Sequence, residues 1–481
     1  MSVPFFAREF VFVQPDGNPV AVQGFGNQQC ARFRSLDGTP VVRDPNTGFF
    51  RPASRARGDS VGEEADALNS TATPLPKPRW RSRHELQRDL LREEGASDGM
   101  LRAPPARRTV GDFTGLCLPI TFPDVPATVS HEDIEAFCNQ PGYAGFGNNG
   151  SVFDYFHDVS AGRLNYRTLV APAYNAIRPR GHYTDPGVPF GQRARELIAE
   201  ALSFHRTRGF DVSSLTIDAQ RGVYAMNVLY AGDVVNAWSE GLWPHASRLE
   251  QPITLAPGKS AVDYQISATG SALSLGVYCH ENGHMLCDFP DLYQYDDSRR
   301  GVGRYCLMCL GPYNTAQNPT HVGAYLKHRA GWGDAVPLTP GRHSLSTLEP
   351  NRFYIHARTT DKTEYFLIEG RRNTGRDAGL SSTGLAIWHI DELGSNTHPA
   401  DGPAGHQHYE CTLLQADGLD ELRLGEDSGD SQDLFGTAEG PAFGEGSPIS
   451  GTWWDGTPSG LRIHSVEASG SELGFTAEIV A

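Results

Sequence analysis

The sequence predicts an α+β protein, in which a twisted β-sheet packs against a buried helix and an all-β C-terminal region follows. Two observations carry this prediction. From about residue 111 to residue 335, strand-like runs alternate with segments of helical periodicity. After residue 336, short strands and turns follow one another without helical segments, which is typical of a β-sandwich.

The length, charge and hydropathy of the chain argue against several classes of protein. A chain of 481 residues has room for about two to four domains. The formal net charge of −16 argues against a general nucleic-acid binder. No apolar run approaches the roughly 18–20 residues needed to cross a bilayer. We therefore expect no nucleic-acid partner, no membrane span and a monomer.

Shifts in composition divide the chain into four parts. Residues 1–55 are predicted to form a small β-rich unit with turns such as Gln14–Gly17. Residues 56–108 are predicted to be a basic, flexible linker, because the stretch 51–108 holds 12 Lys/Arg against 9 Asp/Glu. Residues 109–335 form the central α+β part, and residues 336–481 a β-sandwich-like part.

Individual elements follow from local patterns. Ser130, with Asp133 three residues later, predicts a capped helix through Cys138. Further helices are predicted at 84–94, at 271–287 and around the apolar positions Ala194, Leu197, Ile198, Ala201 and Leu202. The predicted strands are 10–13, 40–42, 116–122, 223–230, 352–357, 364–369, 384–390, 410–415, 461–466 and 473–479.

One helix carries a pattern that is typical of a metal site. The run His280-Glu281-Asn282-Gly283-His284 is an HExxH motif. Residues four apart lie on one face of a helix, so both imidazoles can reach one cation, and neutral imidazole suits zinc. Glu281 is placed to take a proton from a water on that metal. The alternative is a helix with two unrelated histidines.

The surroundings of the motif favour the metal site. Apolar residues precede it, so the helix is predicted to be buried, and two histidines and a glutamate would be costly to bury without a partner. Gly276 and Gly283 weaken a helix, which indicates tight packing or close backbone approach at both positions. Pro290 is predicted to end the helix.

The residues alone leave the third protein ligand open. Four acids downstream are candidates, namely Asp288, Asp291, Asp296 and Asp297. Asp291 follows Pro290, and a turn there could fold its carboxylate back onto the metal. For each of them the alternative is a solvated carboxylate in a turn.

The motif and the run Phe289-Pro290-Asp291-Leu292-Tyr293 together resemble the immune inhibitor A-like zinc metallopeptidases. The segments 14–44, 122–126, 142–156, 238–245, 304–308, 364–369 and 384–391 are also similar to that family. The resemblance implies a zincin-like catalytic domain over 109–335 and a prosegment-like role for 1–55. It also implies a metzincin-type turn that places Met308 beneath the metal.

The sequence departs from the family in three ways, one of which is an extra residue before Pro290. Cys287 stands where many members have glycine, and Arg300 stands where some members have a glutamate ligand. That ligand cannot be carried over, and Asp291 is therefore our choice, with Asp297 second. Aspartate can ligate zinc, so the predicted chemistry survives the change.

Catalysis at such a site also needs a donor for the developing oxyanion. The candidates near the motif are Tyr293, Tyr295, Tyr313 and His321. Tyr313 is our choice for a catalytic role, and packing is the alternative for each of the four.

Weaker signals concern other metals and thiols. Asp427, Asp430 and Asp433 could bind Ca²⁺, although a solvated acidic loop fits the same spacing. A lone CxxC, Cys306 and Cys309, is a weak zinc or redox signal, and buried free thiols are the alternative. Cys30 could block the zinc of a zymogen as a thiolate, or simply be buried.

The expected function is zinc-dependent hydrolysis of peptide bonds in protein or peptide substrates, with a zymogen as a further expectation. One alternative is a non-catalytic, metal-containing binding module. Another is a narrow-specificity peptidase effector exported without a classical signal. The first residues lack a signal-peptide pattern, so we expect a cytoplasmic or non-classically exported protein, although the resembled family is usually secreted.

Overall fold

The computed structural model of the protein describes residues 4–27, 31–44, 47, 49–53, 107–236, 240–295, 300–399, 406–436, 442–444, 447 and 449–480. The predicted helix at 84–94, Cys30 and nearly all of the predicted linker lie outside these residues. Arg107 at the linker's end belongs to the folded unit instead, because it is buried with only 4% of its surface exposed.

The N-terminal part is a five-stranded antiparallel sheet in simple meander order. Its strands are β1 (Phe5–Val13), β2 (Pro19–Gly26), β3 (Ala31–Ser35), β4 (Pro40–Arg43) and β5 (Phe50–Pro52). Phe5, Phe10 and Val22 from this sheet form a small core with Trp243 of the central part. The N-terminal sheet is therefore docked onto the rest of the molecule through an aromatic contact.

The central sheet has the order β10-β11-β9-β6-β7, and β8 pairs with β6. All its pairings are parallel except that of β10 with β11. Its strands are β6 (Gly111–Thr121), β7 (Leu164–Val170), β8 (Tyr174–Asn175), β9 (Met226–Tyr230), β10 (His245–Ala256) and β11 (Lys259–Ala268).

Helices cover both faces of the central sheet. They are α1 (His131–Asn139), α2 (Val152–Val159), α3 (Arg180–Tyr183), α4 (Gln192–Thr207), α5 (Leu275–Cys287) and α6 (Ala324–Arg329). The apolar stripe of α4 packs on one face, against Leu116 and Val228 among others. Helix α5 packs on the other face, which Phe113 and Leu229 share. This layering buries the motif helix.

The C-terminal part consists of two sheets packed through a common apolar core. The five-stranded sheet contains β12 (Asp334–Pro337), β14 (Arg352–Ala357), β15 (Glu364–Arg371), β16 (Gly384–Asp391) and β17 (Cys411–Leu414). The four-stranded sheet contains β13 (Gly341–Ser346), β20 (Glu472–Ile479), β19 (Leu461–Ser469) and β18 (Phe443–Gly444). A short helix, α7 (Glu421–Leu424), follows β17.

These elements confirm the α+β fold class and the β-rich C-terminal region. Ser130 caps α1 as predicted, since its side chain accepts the Asp133 N–H at 3.0 Å. The predicted motif helix begins at Leu275 rather than at Ser271. Among the described residues, no helix is both long enough and apolar enough to cross a bilayer.

Candidate metal centre

The motif helix α5 is buried along almost its whole length. It ends at Cys287, one turn earlier than Pro290 would impose, because Asp288 adopts a left-handed conformation with φ of 52°. The Asp288 and Phe289 N–H groups close the helix on the carbonyls of His284 and Gly283. This reversal turns the chain back along the helix and toward the two histidines.

Both glycines of the helix lie at close contacts, which confirms the prediction made for them. A Cβ at Gly276 would lie 2.6 Å from the carbonyl oxygen of Pro312. A Cβ at Gly283 would lie 2.9 Å from Met308 Sδ. The segment 307–313 can therefore approach the helix closely, and Met308 lies directly against the motif.

Both imidazoles are oriented so that Nδ1 contacts a backbone carbonyl oxygen and Nε2 faces the other ring. His280 Nδ1 lies 2.9 Å from the Leu307 carbonyl oxygen, and His284 Nδ1 lies 2.6 Å from that of Phe289. A carbonyl can only accept, so each Nδ1 donates its N–H and each neutral ring keeps a lone pair on Nε2. The two Nε2 atoms are 3.2 Å apart.

Asp291 completes a triangle of ligand atoms. Its Oδ1 lies 3.2 Å from Nε2 of both His280 and His284, and all three side chains are buried. Its Oδ2 accepts a hydrogen bond from the Tyr295 hydroxyl at 2.8 Å. Burial opposes ionisation here, but the two imidazoles hold the pKa of Asp291 well below its usual range.

The structure brings Asp291, rather than Asp288, to the imidazoles. Asp288 caps the helix and is not part of the group formed by His280, His284 and Asp291. The alternatives Asp296 and Asp297 lie outside the described residues.

The triangle fits a tetrahedral metal. Three lone-pair atoms at mutual distances of 3.2 Å repel one another unless a metal ion or a shared proton lies between them. Ligands about 2.0 Å from a tetrahedral zinc are about 3.3 Å apart, which matches these distances. Two imidazoles and one carboxylate also form a common donor set of catalytic zinc sites, which keep a fourth position for water.

Glu281 lies beside this triangle without a hydrogen-bond partner. Both of its carboxylate oxygens are buried, and no donor from the described residues reaches either of them. Burial raises the pKa of Glu281, while His280 and His284 lower it to a smaller degree. A buried, unpaired carboxylate next to a predicted metal is suited to receive and release a proton.

Tyr313 lies at the edge of the site. It ends a short 3₁₀ segment, Gly311–Tyr313, that packs on α5, and it is 40% exposed. Partial burial raises the pKa of Tyr313, Arg8 lowers it, and Glu281 raises it further. Its phenol is therefore within electrostatic range of Glu281.

The other oxyanion candidates occupy different places. Tyr295 supports Asp291 through its hydroxyl. Tyr293 is almost fully buried and packs against Tyr295 at 5.7 Å between ring centroids. The backbone of His321 accepts the Leu307 N–H and so supports the turn behind His280.

Polar contacts that the motif did not reveal fix α5 on the sheet. Asn282 donates to Asn227 Oδ1 at 2.8 Å, and Gln265 donates to the same oxygen at 2.9 Å. Arg107 donates to the carbonyl oxygens of Met285 and Tyr224 at 2.7 and 2.6 Å. None of these contacts was predicted from the sequence, because each joins residues that are far apart in the chain.

The two CxxC cysteines are buried thiols, as the alternative interpretation predicted. The Cys306 sulfur accepts the N–H groups of Met308 and Gly323 at 3.4 and 3.5 Å. Neither Cys306 nor Cys309 belongs to a metal-holding group within the described part of the chain.

Acidic residues near α7 do gather into groups that could hold a cation. One group is Asp417, Asp430 and Asp433, and the other is Glu421, Asp427 and Asp430. Asp433 already accepts hydrogen bonds from the Tyr305 hydroxyl at 2.8 Å and the Asp430 N–H at 2.7 Å. Calcium binding therefore stays a prediction here.

Comparison with known proteins adds no relative. A scan against protein-family models found no match to the chain, and a search of curated proteins found none either.

Proposed function

We propose that the chain is a zinc-dependent endopeptidase with a zincin-like catalytic domain. The observation that carries this proposal is the buried triangle of His280 Nε2, His284 Nε2 and Asp291 Oδ1, with the unpaired Glu281 beside it. Such a donor set with an adjacent carboxylate serves metal-assisted hydrolysis.

Each side chain of the site has a separate role in the proposed hydrolysis. His280, His284 and Asp291 would hold a zinc ion, which when bound supplies a Lewis acid that lowers the pKa of water toward ~7. Glu281 accepts the proton of the attacking water and passes it to the leaving amine of the peptide. Tyr313 donates its hydroxyl to the carbonyl oxygen as negative charge develops there.

The resemblance to immune inhibitor A-like metallopeptidases supports the same proposal. In that family a turn ending in Leu-Met is equivalent to the Met-turn of metzincin-type peptidases. Here the Leu307 carbonyl fixes His280, and Met308 contacts Gly283 of the motif. These two contacts support the proposed role of the resembling segment.

A zymogen is part of the proposal, with the N-terminal sheet as the inhibitory unit. Asn27, at the end of β2, donates to the carbonyl oxygen of Tyr295 at 2.7 Å and is buried. Arg8 is close enough to lower the pKa of Tyr313. These two interactions with Tyr295 and Tyr313 support an inhibitory role for the N-terminal sheet.

The decisive experiment compares metal content and casein cleavage in the wild type and Glu281→Gln. We expect zinc in both proteins and loss of cleavage by about 10³-fold or more in the variant, since the general base is removed while the ligands stay. Glu132→Gln, at an exposed position of α1, is the matched control and should cleave normally.

Other results would select the alternatives. Zinc without any Glu281-dependent cleavage, both before and after limited proteolysis in the predicted linker, would indicate a metal-containing binding module rather than a latent zymogen. Glu281-dependent cleavage of one protein in a mixed extract, with casein untouched, would indicate a narrow-specificity effector. A wild type that binds no metal would contradict the proposed hydrolysis.

A further inference from the structure

A second group of potential metal ligands lies in the C-terminal part of the molecule. Asp391, the last residue of β16, is almost fully buried. Its Oδ2 lies 2.6 Å from His406 Nδ1 and 2.7 Å from His408 Nε2. The three atoms lie within 4.8 Å of one another.

The surroundings fix these three side chains. Oδ1 of Asp391 accepts the Leu393 N–H at 2.9 Å, which turns Oδ2 toward the two histidines. The Ser395 N–H donates to the His408 carbonyl oxygen at 2.9 Å. The Trp454 indole stacks on the His408 ring at 4.4 Å between centroids and 20° between planes. The three ligand atoms are therefore held together, at N···O distances of hydrogen-bond length that must widen to about 3.3 Å when an ion replaces the shared protons.

The group is open to solvent on one side. The side chains of His406 and His408 are 23% and 12% exposed, whereas that of Asp391 is 2% exposed. An ion can therefore enter from the histidine side, and a water can occupy a fourth position there.

We propose that Asp391 Oδ2, His406 Nδ1 and His408 Nε2 bind a second divalent transition-metal ion, with zinc as the best fit. Two imidazole nitrogens and one carboxylate oxygen form a donor set that suits zinc. His406 Nδ1 and His408 Nε2 both lie next to Oδ2 of Asp391, whereas Oδ1 accepts a backbone N–H. Histidines two residues apart share one side of an extended chain, so this convergence needs no unusual backbone.

This ion has a structural role, because the segment it secures supports the first site. The Thr397 carbonyl oxygen accepts the Tyr295 N–H at 3.1 Å. The His398 ring packs against the Tyr295 ring at 5.2 Å. The Tyr295 hydroxyl in turn donates to Asp291. Binding of the second ion does not depend on the proposed peptide hydrolysis.

The test titrates the metal-stripped full chain with Zn²⁺ and counts the bound ions. The key variant is His406→Asn with His408→Gln, because these amides keep N–H donors toward Asp391 but are poor zinc ligands. We expect one ion fewer than in the wild type. His464→Ala, which removes a partly exposed histidine on β19, is the matched control and should keep the wild-type count. An unchanged count in the double variant would show a hydrogen-bonded cluster without metal and would overturn the proposal.

A complementary measurement needs no variant. Diethyl pyrocarbonate modifies accessible imidazoles, and mass spectrometry can follow His408 and His464 in the same wild-type sample. We expect Zn²⁺ to slow the modification of His408 at least fivefold and to leave His464 unchanged. Equal rates at His408 with and without Zn²⁺ would contradict metal binding.

The structural role has its own readout. Hydrogen exchange at the Tyr295 amide, which is bonded to Thr397, should be faster in the double variant than in the wild type with Zn²⁺. Identical exchange would contradict the role assigned to the second ion.

Discussion

At the residue scale, hydrogen bonds on the outer side of each ligand organise the first metal centre. The Nδ1 atoms of His280 and His284 donate to backbone carbonyls, and Asp291 Oδ2 accepts from Tyr295. These contacts leave one atom with a free lone pair on each ligand, and these three atoms form the triangle that would hold the metal ion. Such outer contacts usually tune metal affinity almost as strongly as the ligands themselves.

Removal of the Tyr295 hydroxyl should therefore weaken metal binding at this centre. In Tyr295→Phe, Asp291 loses the bond that orients its carboxylate, and we expect zinc affinity to fall about 10–100-fold. Competition with a chromophoric chelator measures this change. Tyr174→Phe, whose lost hydroxyl contacts Glu200 at 3.2 Å in another core, should bind zinc like the wild type. Equal affinities in the two variants would show that Tyr295 does not position Asp291.

The sequence identified part of this centre. His280, Glu281 and His284 follow from a local motif, because a helix alone fixes their relative positions. Asp291 could only be chosen among four acids, since the left-handed turn at Asp288 decides which carboxylate returns to the helix. The role of Asn282 was not predictable, because its partner Asn227 lies 55 residues away in the chain.

At the element scale, local signals predicted α1, α4 and α5 but missed α2, α3, α6 and α7. The Ser130 cap and the apolar stripe of α4 both depend on residues within one or two turns. The hairpin of β10 and β11 was missed, and so were the strands β2, β3, β5, β7, β8, β12, β13 and β18. The exposed stretch in the middle of β10 contains Pro252 and shows little apolar alternation, so pairing with β11 rather than sequence pattern defines it.

The close approach at the start of α5 gives a stability prediction. Gly276→Ala places a Cβ 2.6 Å from the Pro312 carbonyl oxygen. Overpacking costs about 1–3 kcal/mol and better helix propensity returns at most about 1 kcal/mol, so the free energy of unfolding should fall by roughly 1–2 kcal/mol. Urea denaturation measures it. Gly181→Ala in α3, which meets no atom within 4 Å, should leave it unchanged or raise it by at most about 1 kcal/mol. A fully stable Gly276→Ala would contradict the close contact.

The N-terminal sheet gives a prediction about activity. Trp243 lies under it, 6.2 Å from Phe5 and 5.8 Å from Phe10 between ring centroids. Trp243→Ala removes this anchor, so we expect faster hydrogen exchange in β1 and β2 and faster cleavage of a short fluorogenic peptide. Arg51→Ala, which removes an exposed pair with Asp44 at 3.1 Å within the sheet, should change neither. Loosened strands with unchanged cleavage would exclude an inhibitory role for the sheet.

At the scale of the whole molecule, one apolar core joins the central part to the C-terminal part. Strands β15 and β16 are buried on both faces. Phe366 and Ile387 face the second sheet of the C-terminal part, whereas Tyr365 and Trp388 face the central part. The sequence placed a boundary near residue 335 because the pattern of elements changes there, but a change of pattern carries no information about shared burial.

A buried ion pair crosses the same boundary and leads to the last prediction. Lys327 of α6 lies 2.6 Å from Glu369 of β15, and neither side chain is exposed. A fragment of residues 107–335 would lose this partner and a large share of its core, so we expect no cooperative thermal transition by near-UV circular dichroism. A fragment of residues 107–481 lacks only the N-terminal sheet and the predicted linker. It keeps the ion pair and the shared core, and it should unfold cooperatively. A sharp transition in the shorter fragment would show that the central part folds independently, and the shared core would then be an interface between two domains.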